Sequence, residues 1–206
     1  MTEAAARLEG GFAEVGAGAW LMGRGQPAAF FGSAVRRRRK GFFLRDRGSL
    51  DLVETTSVAK CADARRPFLT HIPCAAPISA VSSKVLVAPA QAWSGAETVK
   101  VVPMSSRGSL GATLFGGEWV VMATASRTLR LQVEDGDTLS ARPEAVVAWT
   151  GRRPTGFCPK LGIWDVILPR GPRDLLLHFH GPCLVWVEGA KAESRMTKVM
   201  RRNYGA

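Results

Sequence analysis

Short runs of alternating apolar and polar residues, separated by Gly, Pro and Asp, run along the chain from about residue 48 onward. The alternation is clearest at 127–134. There Leu129, Leu131 and Val133 fall on one side of an extended segment, and Thr128, Arg130 and Gln132 on the other. Glu134, Asp135, Gly136 and Asp137 follow as a turn signal, because an Asp-Gly pair tolerates positive φ. Residues 49–54 and 97–103 alternate over part of their length, and 117–124 is β-branched and apolar. The run 80–89 predicts a strand that stops at Pro89. Residues 143–149, 162–169, 174–180 and 184–188 read as further strands, with the Gly/Pro-rich stretch 150–159 as a loop.

No helical period intervenes between 97 and 190, which argues against a parallel α/β sheet. Many short strands joined by turns predict an all-β fold, a β-sandwich or a double-stranded β-helix. The first 35 residues are rich in Ala and Gly and show no clean period beyond a short helix opening at 2–9. They read as an extension that docks on something else. Residues 194–202 read as a short basic helix. The expected organisation is an extension over 1–47, a β domain over 48–190 and a basic tail over 191–206.

Composition narrows the class. A chain of 206 residues with 46% hydrophobic and 22% charged residues is large enough to bury a core without cross-links. No apolar run reaches the roughly 18 residues a membrane helix needs. The 4 Cys are scattered, which fits a reducing compartment better than a disulfide scaffold.

Charge is concentrated in two places. Arg36, Arg37, Arg38, Arg39, Lys40, Arg45 and Arg47 stand against Asp46 alone, and Lys191, Arg195, Lys198, Arg201 and Arg202 against Glu193. These two stretches carry +10 of the formal +11, so the remaining chain is almost neutral. A near-neutral body with two basic arms suits a polyanion, because each Lys or Arg that meets a phosphate releases condensed counterions. Arg36 to Lys40, Arg45, Arg47, Arg195, Lys198, Arg201 and Arg202 are the candidate RNA-binding residues. A solvated tail or a targeting signal is the bland alternative for such a run. The Ala- and Arg-containing start resembles a mitochondrial transit peptide, against which stand Glu3, Glu9 and Glu14.

Signals for catalysis are weak. His178 and His180 lie two apart on a strand and share a face, a pattern similar to cupin metal sites. The Glu that pattern requires three or four residues later is missing, and the next acid is Glu188. Cys61, His71, Cys74 and Cys158 contain no Cys-x-x-Cys pair, so buried apolar thiols are the better reading. Ser57 and Lys60 have the spacing of a serine–lysine nucleophile motif but none of its companions. Glu134, Asp135 and Asp137 are turn acids, and neither a phosphate loop nor a dinucleotide fingerprint is present. The expectation is a non-enzyme with no metal and no cofactor. Of the 6 Trp, Trp149, Trp164 and Trp186 sit in strand patterns, whereas Trp20 and Trp93 sit in loop-like contexts where they can anchor a partner. Phe42 and Phe43 follow the basic run and can stack on bases or enter a groove.

Gly136, Asp137 and Leu139 lead into Pro143, Ala145, Val147, Ala148 and Trp149. Further on come Phe179, Gly181, Pro182, Val185 and Trp186. In this order the residues resemble the mitochondrial-biogenesis family named for altered inheritance of mitochondria. That family has a Gly-Asp turn, a Pro-x-Ala-x-Val-Ala-Trp strand and a closing Phe-x-Gly-Pro-Gly-x-Val-Trp strand. The Gly-rich stretch 108–118 is similar too, so the resemblance spans roughly 85–190. Cys183 replaces the family's second Gly, and residues 1–84 match poorly. The resemblance implies a fold like that of the tryptophan RNA-binding attenuation protein, with Gly181 and Pro182 at a tight corner. It supplies no catalytic residue.

Together these readings lead to the expectation of a non-catalytic structural subunit of a ribonucleoprotein, with an organellar, mitochondrial ribosome as the leading instance. Its partners are RNA, most naturally ribosomal RNA, and neighbouring proteins. The alternative is a stand-alone cytoplasmic bacterial or archaeal β protein that self-assembles as a homo-oligomer.

Overall fold

Along β6 (Asp51–Thr55), Val53 and Thr55 are buried while Leu52 and Glu54 are half-buried, the period of two expected of a strand with one covered face. A computed structural model describes residues 7–9, 11–23, 28–31, 34–37, 50–100, 109–157 and 175–189 of the chain. It is all-β: antiparallel pairing organises the chain throughout these segments. Contacts divide the chain into two compact units, residues 1–98 with 111–125, and residues 99–110 with 126–206.

The first unit holds β1 (Arg7–Glu9), β2 (Phe12–Val15), β3 (Gly18–Met22), β4 (Ala28–Phe31), β5 (Ala34–Arg37) and β6. They are followed by β7 (Ala59–Asp63), β8 (Phe68–Pro73), β9 (Ile78–Val81), β10 (Val85–Pro89) and β13 (Trp119–Thr124). Between the last two, β11 (Trp93–Lys100) and β12 (Ser109–Phe115) pass the division with one end each. One sheet has the order β1-β2-β7-β4, and a second the order β5-β6-β3-β10-β13-β8. Strands β10 and β13 are buried at every position, which explains why their sequences are continuous apolar runs rather than alternating ones. Val15, Trp20, Met22, Val53, Cys61, Leu86, Trp119 and Val121 belong to one buried cluster of this unit. Full burial of such side chains contributes about 1.5–3 kcal/mol each.

The second unit holds β14 (Thr128–Val133), β15 (Thr138–Ala141), β16 (Val146–Thr150), β17 (Thr155–Phe157), β18 (Leu176–His180) and β19 (Cys183–Glu188). Strand β19 lies between β16 and β14, and β18 lies between β15 and β17. Trp149 and Phe179 meet edge-on in its core, ring centres 5.9 Å apart. Gly136 takes φ +84° in the tight turn between β14 and β15, where the Asp137 amide donates to the Glu134 carbonyl at 3.1 Å.

Four expectations require correction. The segment before residue 48 is not an appended extension: β3 pairs with β6 on one side and β10 on the other. Its strands are only 3–5 residues long, too short to establish a period, and lie in a segment broken up by Gly. Tertiary pairing makes them strands. In particular, Arg7–Glu9 is a strand where a helix was expected. A single β domain over 48–190 likewise gives way to two units, the first of which includes those early strands. The run 80–89 is interrupted by a 3-10 turn at Ser82–Lys84, so only Val85–Pro89 continues as β10. The expected strand at 127–134 is present as β14, with Val133 buried and Leu129 39% exposed. The expected strand at 162–169 and the expected helix at 194–202 lie outside the described residues.

Candidate polyanion-binding surface

Strand β5 brings the start of the basic run onto the rim of the first unit. Ala34, Val35, Arg36 and Arg37 pair antiparallel with Thr55, Glu54, Val53 and Leu52. Strand β5 is an end strand of its sheet, so Arg36 and Arg37 sit on an edge rather than on a free arm. Charged residues on an edge strand also discourage sheet-to-sheet aggregation, a structural role that any polyanion binding would share. Arg38, Arg39, Lys40, Arg45, Arg47, Arg195, Lys198, Arg201 and Arg202 lie outside the described residues, as do Phe42, Phe43, Trp164 and Cys158.

The two tryptophans assigned to partner docking separate. Trp20 is buried in the first unit's core, where its indole N–H donates to Thr55 Oγ1 at 2.9 Å. It also lies 5.8 Å from the ring of Trp119. Such a residue is a core element and not an anchor for a partner. Trp93 opens β11 and is 36% exposed.

The groups considered for catalysis are dispersed. Lys60 pairs with Glu14 at 3.5 Å across β2 and β7, while Ser57 is exposed in the turn between β6 and β7. The Cys61 thiol donates to the Ala13 carbonyl at 3.2 Å, and burial pushes its pKa up to about 12. Burial raises the Cys74 thiol to about 11, so neither thiol is a ready nucleophile. The His71 ring lies 5.6 Å from that of Trp119, and burial holds its pKa below the ordinary histidine value. Among the described residues no three His, Cys, Asp or Glu converge as a metal-holding group. No helix among them is long and apolar enough to cross a membrane.

The His178–His180 pair lies on the small sheet of the second unit. Leu177 and Phe179 are buried beneath β18, leaving His178 half-buried and His180 exposed on the opposite face. His178 faces Ser140 on one side and Thr155 on the other, and His180 faces Thr138. His180 Nδ1 and Thr138 Oγ1 share a hydrogen bond of 3.1 Å. The Phe157 ring lies 4.7 Å from the His178 ring, and His178 Nε2 is buried with no hydrogen-bond partner among the described residues. Burial first, and the neighbouring His180 second, hold the His178 pKa below the ordinary value, so this imidazole is neutral at pH 7. The sequence gives no warning of this face on the β17 side, because Phe157 closes a Gly/Pro-rich stretch that reads as a loop.

In fold the chain is similar to protein SPYM3_0169 from Streptococcus pyogenes, known from its crystal structure. The TM-score is 0.62 at 12% identity, over 97% of this chain and 98% of that one. The likeness is one of fold, and it spans the early strands together with both units. No protein-family model matches the chain, and no curated protein matches it in sequence.

Proposed function

We propose that this protein is a non-catalytic RNA-binding subunit of a ribonucleoprotein, gripping phosphates through residues 36–47 and 191–206 while the β units contribute shape and protein contacts. The supporting observation is the partition of charge: +10 of the formal +11 falls in those two segments. Lys and Arg contacts to phosphate give affinity without choosing a sequence, which suits a subunit laid over folded RNA. The pairing of Arg36 and Arg37 at an end of their sheet supports the reading further, since it puts the start of the basic run at a sheet edge. A mitochondrial ribosome is the instance favoured by the resemblance to the mitochondrial-biogenesis family.

Sedimentation of a native extract tests this. Co-migration with ribosomal particles that is lost on ribonuclease treatment is the expected result, and a protein that stays at the top of the gradient contradicts it.

A second reading has its own support. A streptococcal protein similar in fold over 97% of this chain means that the architecture also occurs in a bacterium. On that reading the protein is a stand-alone, cytoplasmic, self-assembling β protein, and the same gradient shows a discrete homo-oligomer indifferent to ribonuclease.

A further inference from the structure

We propose that the outer face of the sheet β15-β18-β17 is a stacking platform for the bases of single-stranded RNA, with Phe157 and His178 as its centre. This rests on the RNA-binding reading and adds to it a surface that meets bases rather than phosphates.

Four observations carry the proposal. Phe157 is 46% exposed on an end strand, and its ring is already paired with the His178 ring at 4.7 Å. The two therefore present adjoining π-surfaces, the feature on which unpaired bases stack in sheet-based RNA modules. Around them the cross-strand positions carry hydroxyls, Ser140 and Thr155 beside His178 and Thr138 beside His180. Hydroxyls match base edges and ribose 2′-hydroxyls, whereas His178 Nε2 is buried and serves the platform through its ring rather than as a hydrogen-bonding group.

Among the described residues Phe157 is the single exposed large hydrophobic residue of this sheet, too little apolar area for a protein–protein core. Charge also differs between the two edges. Exposed Arg152 and Arg153 lead into β17, whereas the acids Glu134, Asp135 and Asp137 sit in the turn entering β15, on the other side of β18. A strand of RNA lying on this face has its phosphates along the β17 edge and its bases over Phe157 and His178.

The test compares binding of the full chain to a short single-stranded RNA and to an abasic ribose-phosphate oligomer of equal length. Stacking of one base makes the wild type favour the RNA by about tenfold. Phe157→Ala removes the preference and leaves abasic binding unchanged, while Phe157→Trp keeps it. Replacing Arg36 to Arg39 by Ser weakens both polymers alike and preserves the preference. Equal binding of the two polymers by the wild type overturns the platform and leaves the phosphate reading standing. A preference that survives in Phe157→Ala also overturns it. Failure of the wild type to bind either polymer overturns both. Because Phe157 is on an end strand, circular dichroism of the Ala variant verifies that the fold is retained.

Discussion

The indole N–H of Trp20 donates to the hydroxyl oxygen of Thr55 at 2.9 Å, joining β3 to the strand that pairs with it. The same hydroxyl accepts from the Gly18 amide at 3.1 Å and donates to the Gly16 carbonyl at 2.8 Å. One side chain thus satisfies the corner between β2 and β3. Removing it takes the acceptor from the Gly18 amide and the donor from the Gly16 carbonyl, while the indole N–H keeps the Gly16 carbonyl at 3.2 Å. A hydrogen bond of this kind contributes about 0.5–1.5 kcal/mol. Thr55→Val therefore lowers the unfolding free energy measured in urea by about 1 kcal/mol or more. An unchanged midpoint contradicts the placement of residues 16–22 in the core.

Gly181 is held for a different reason. A Cβ built there falls 1.7 Å from the Glu134 carbonyl oxygen, so backbone has to give way. Gly181 also donates its amide to the Asp137 carbonyl at 3.1 Å, which fastens the β18–β19 corner to the β14–β15 turn. Gly181→Ala destabilises the second unit by about 1–3 kcal/mol or more, the usual range for overpacking. A thermal melt superimposable on that of the wild type contradicts this close approach.

The thiols give a probe of the native core. With pKa values of about 12 and about 11, Cys61 and Cys74 stay protonated at pH 8 and are buried besides. Ellman's reagent leaves both unlabelled in the native protein and modifies them after unfolding in guanidinium. Rapid native labelling at Cys61 contradicts its burial on β7, the strand between β2 and β4.

Acid sensitivity follows from His71 and His178. Burial lowers both, and His180 lowers His178 further, so in the folded state each binds its proton only below the ordinary value of about 6.5. Between the lowered value and the ordinary one the unfolded chain holds more protons, and stability falls as the pH falls. The melting temperature drops as the pH is taken from 7 to below about 6.5, and His178→Asn lessens the drop. A melting temperature that rises on acidification through that window contradicts the lowering of both histidines by partial desolvation.

Much of the fold is legible in the chain because β14 to β16 and β19 announce themselves through alternation, apolar runs and an Asp-Gly turn. The early strands do not. Phe12–Val15 and Gly18–Met22 are too short to establish a period, and what makes them strands is pairing with β7, β6 and β10, far away in sequence. Trp20 reads as a loop residue for the same reason. Of the candidate site, the basic run is plain in the sequence, but its start on an edge strand is not. The partnership of Phe157 with His178 depends on a pairing between β17 and β18 that spans the undescribed residues 158–174.

The salt dependence of RNA binding is the most direct measurement of the phosphate grip. Wild-type protein binds a generic single-stranded RNA with a steep linear fall of log K against log salt. Replacing Arg36, Arg37, Arg38 and Arg39 by Ser lowers the slope by roughly 0.7–0.9 for each phosphate contact removed and weakens all RNA sequences alike. An unchanged slope and affinity in that variant, with the fold intact, contradicts the assignment of the basic run to RNA.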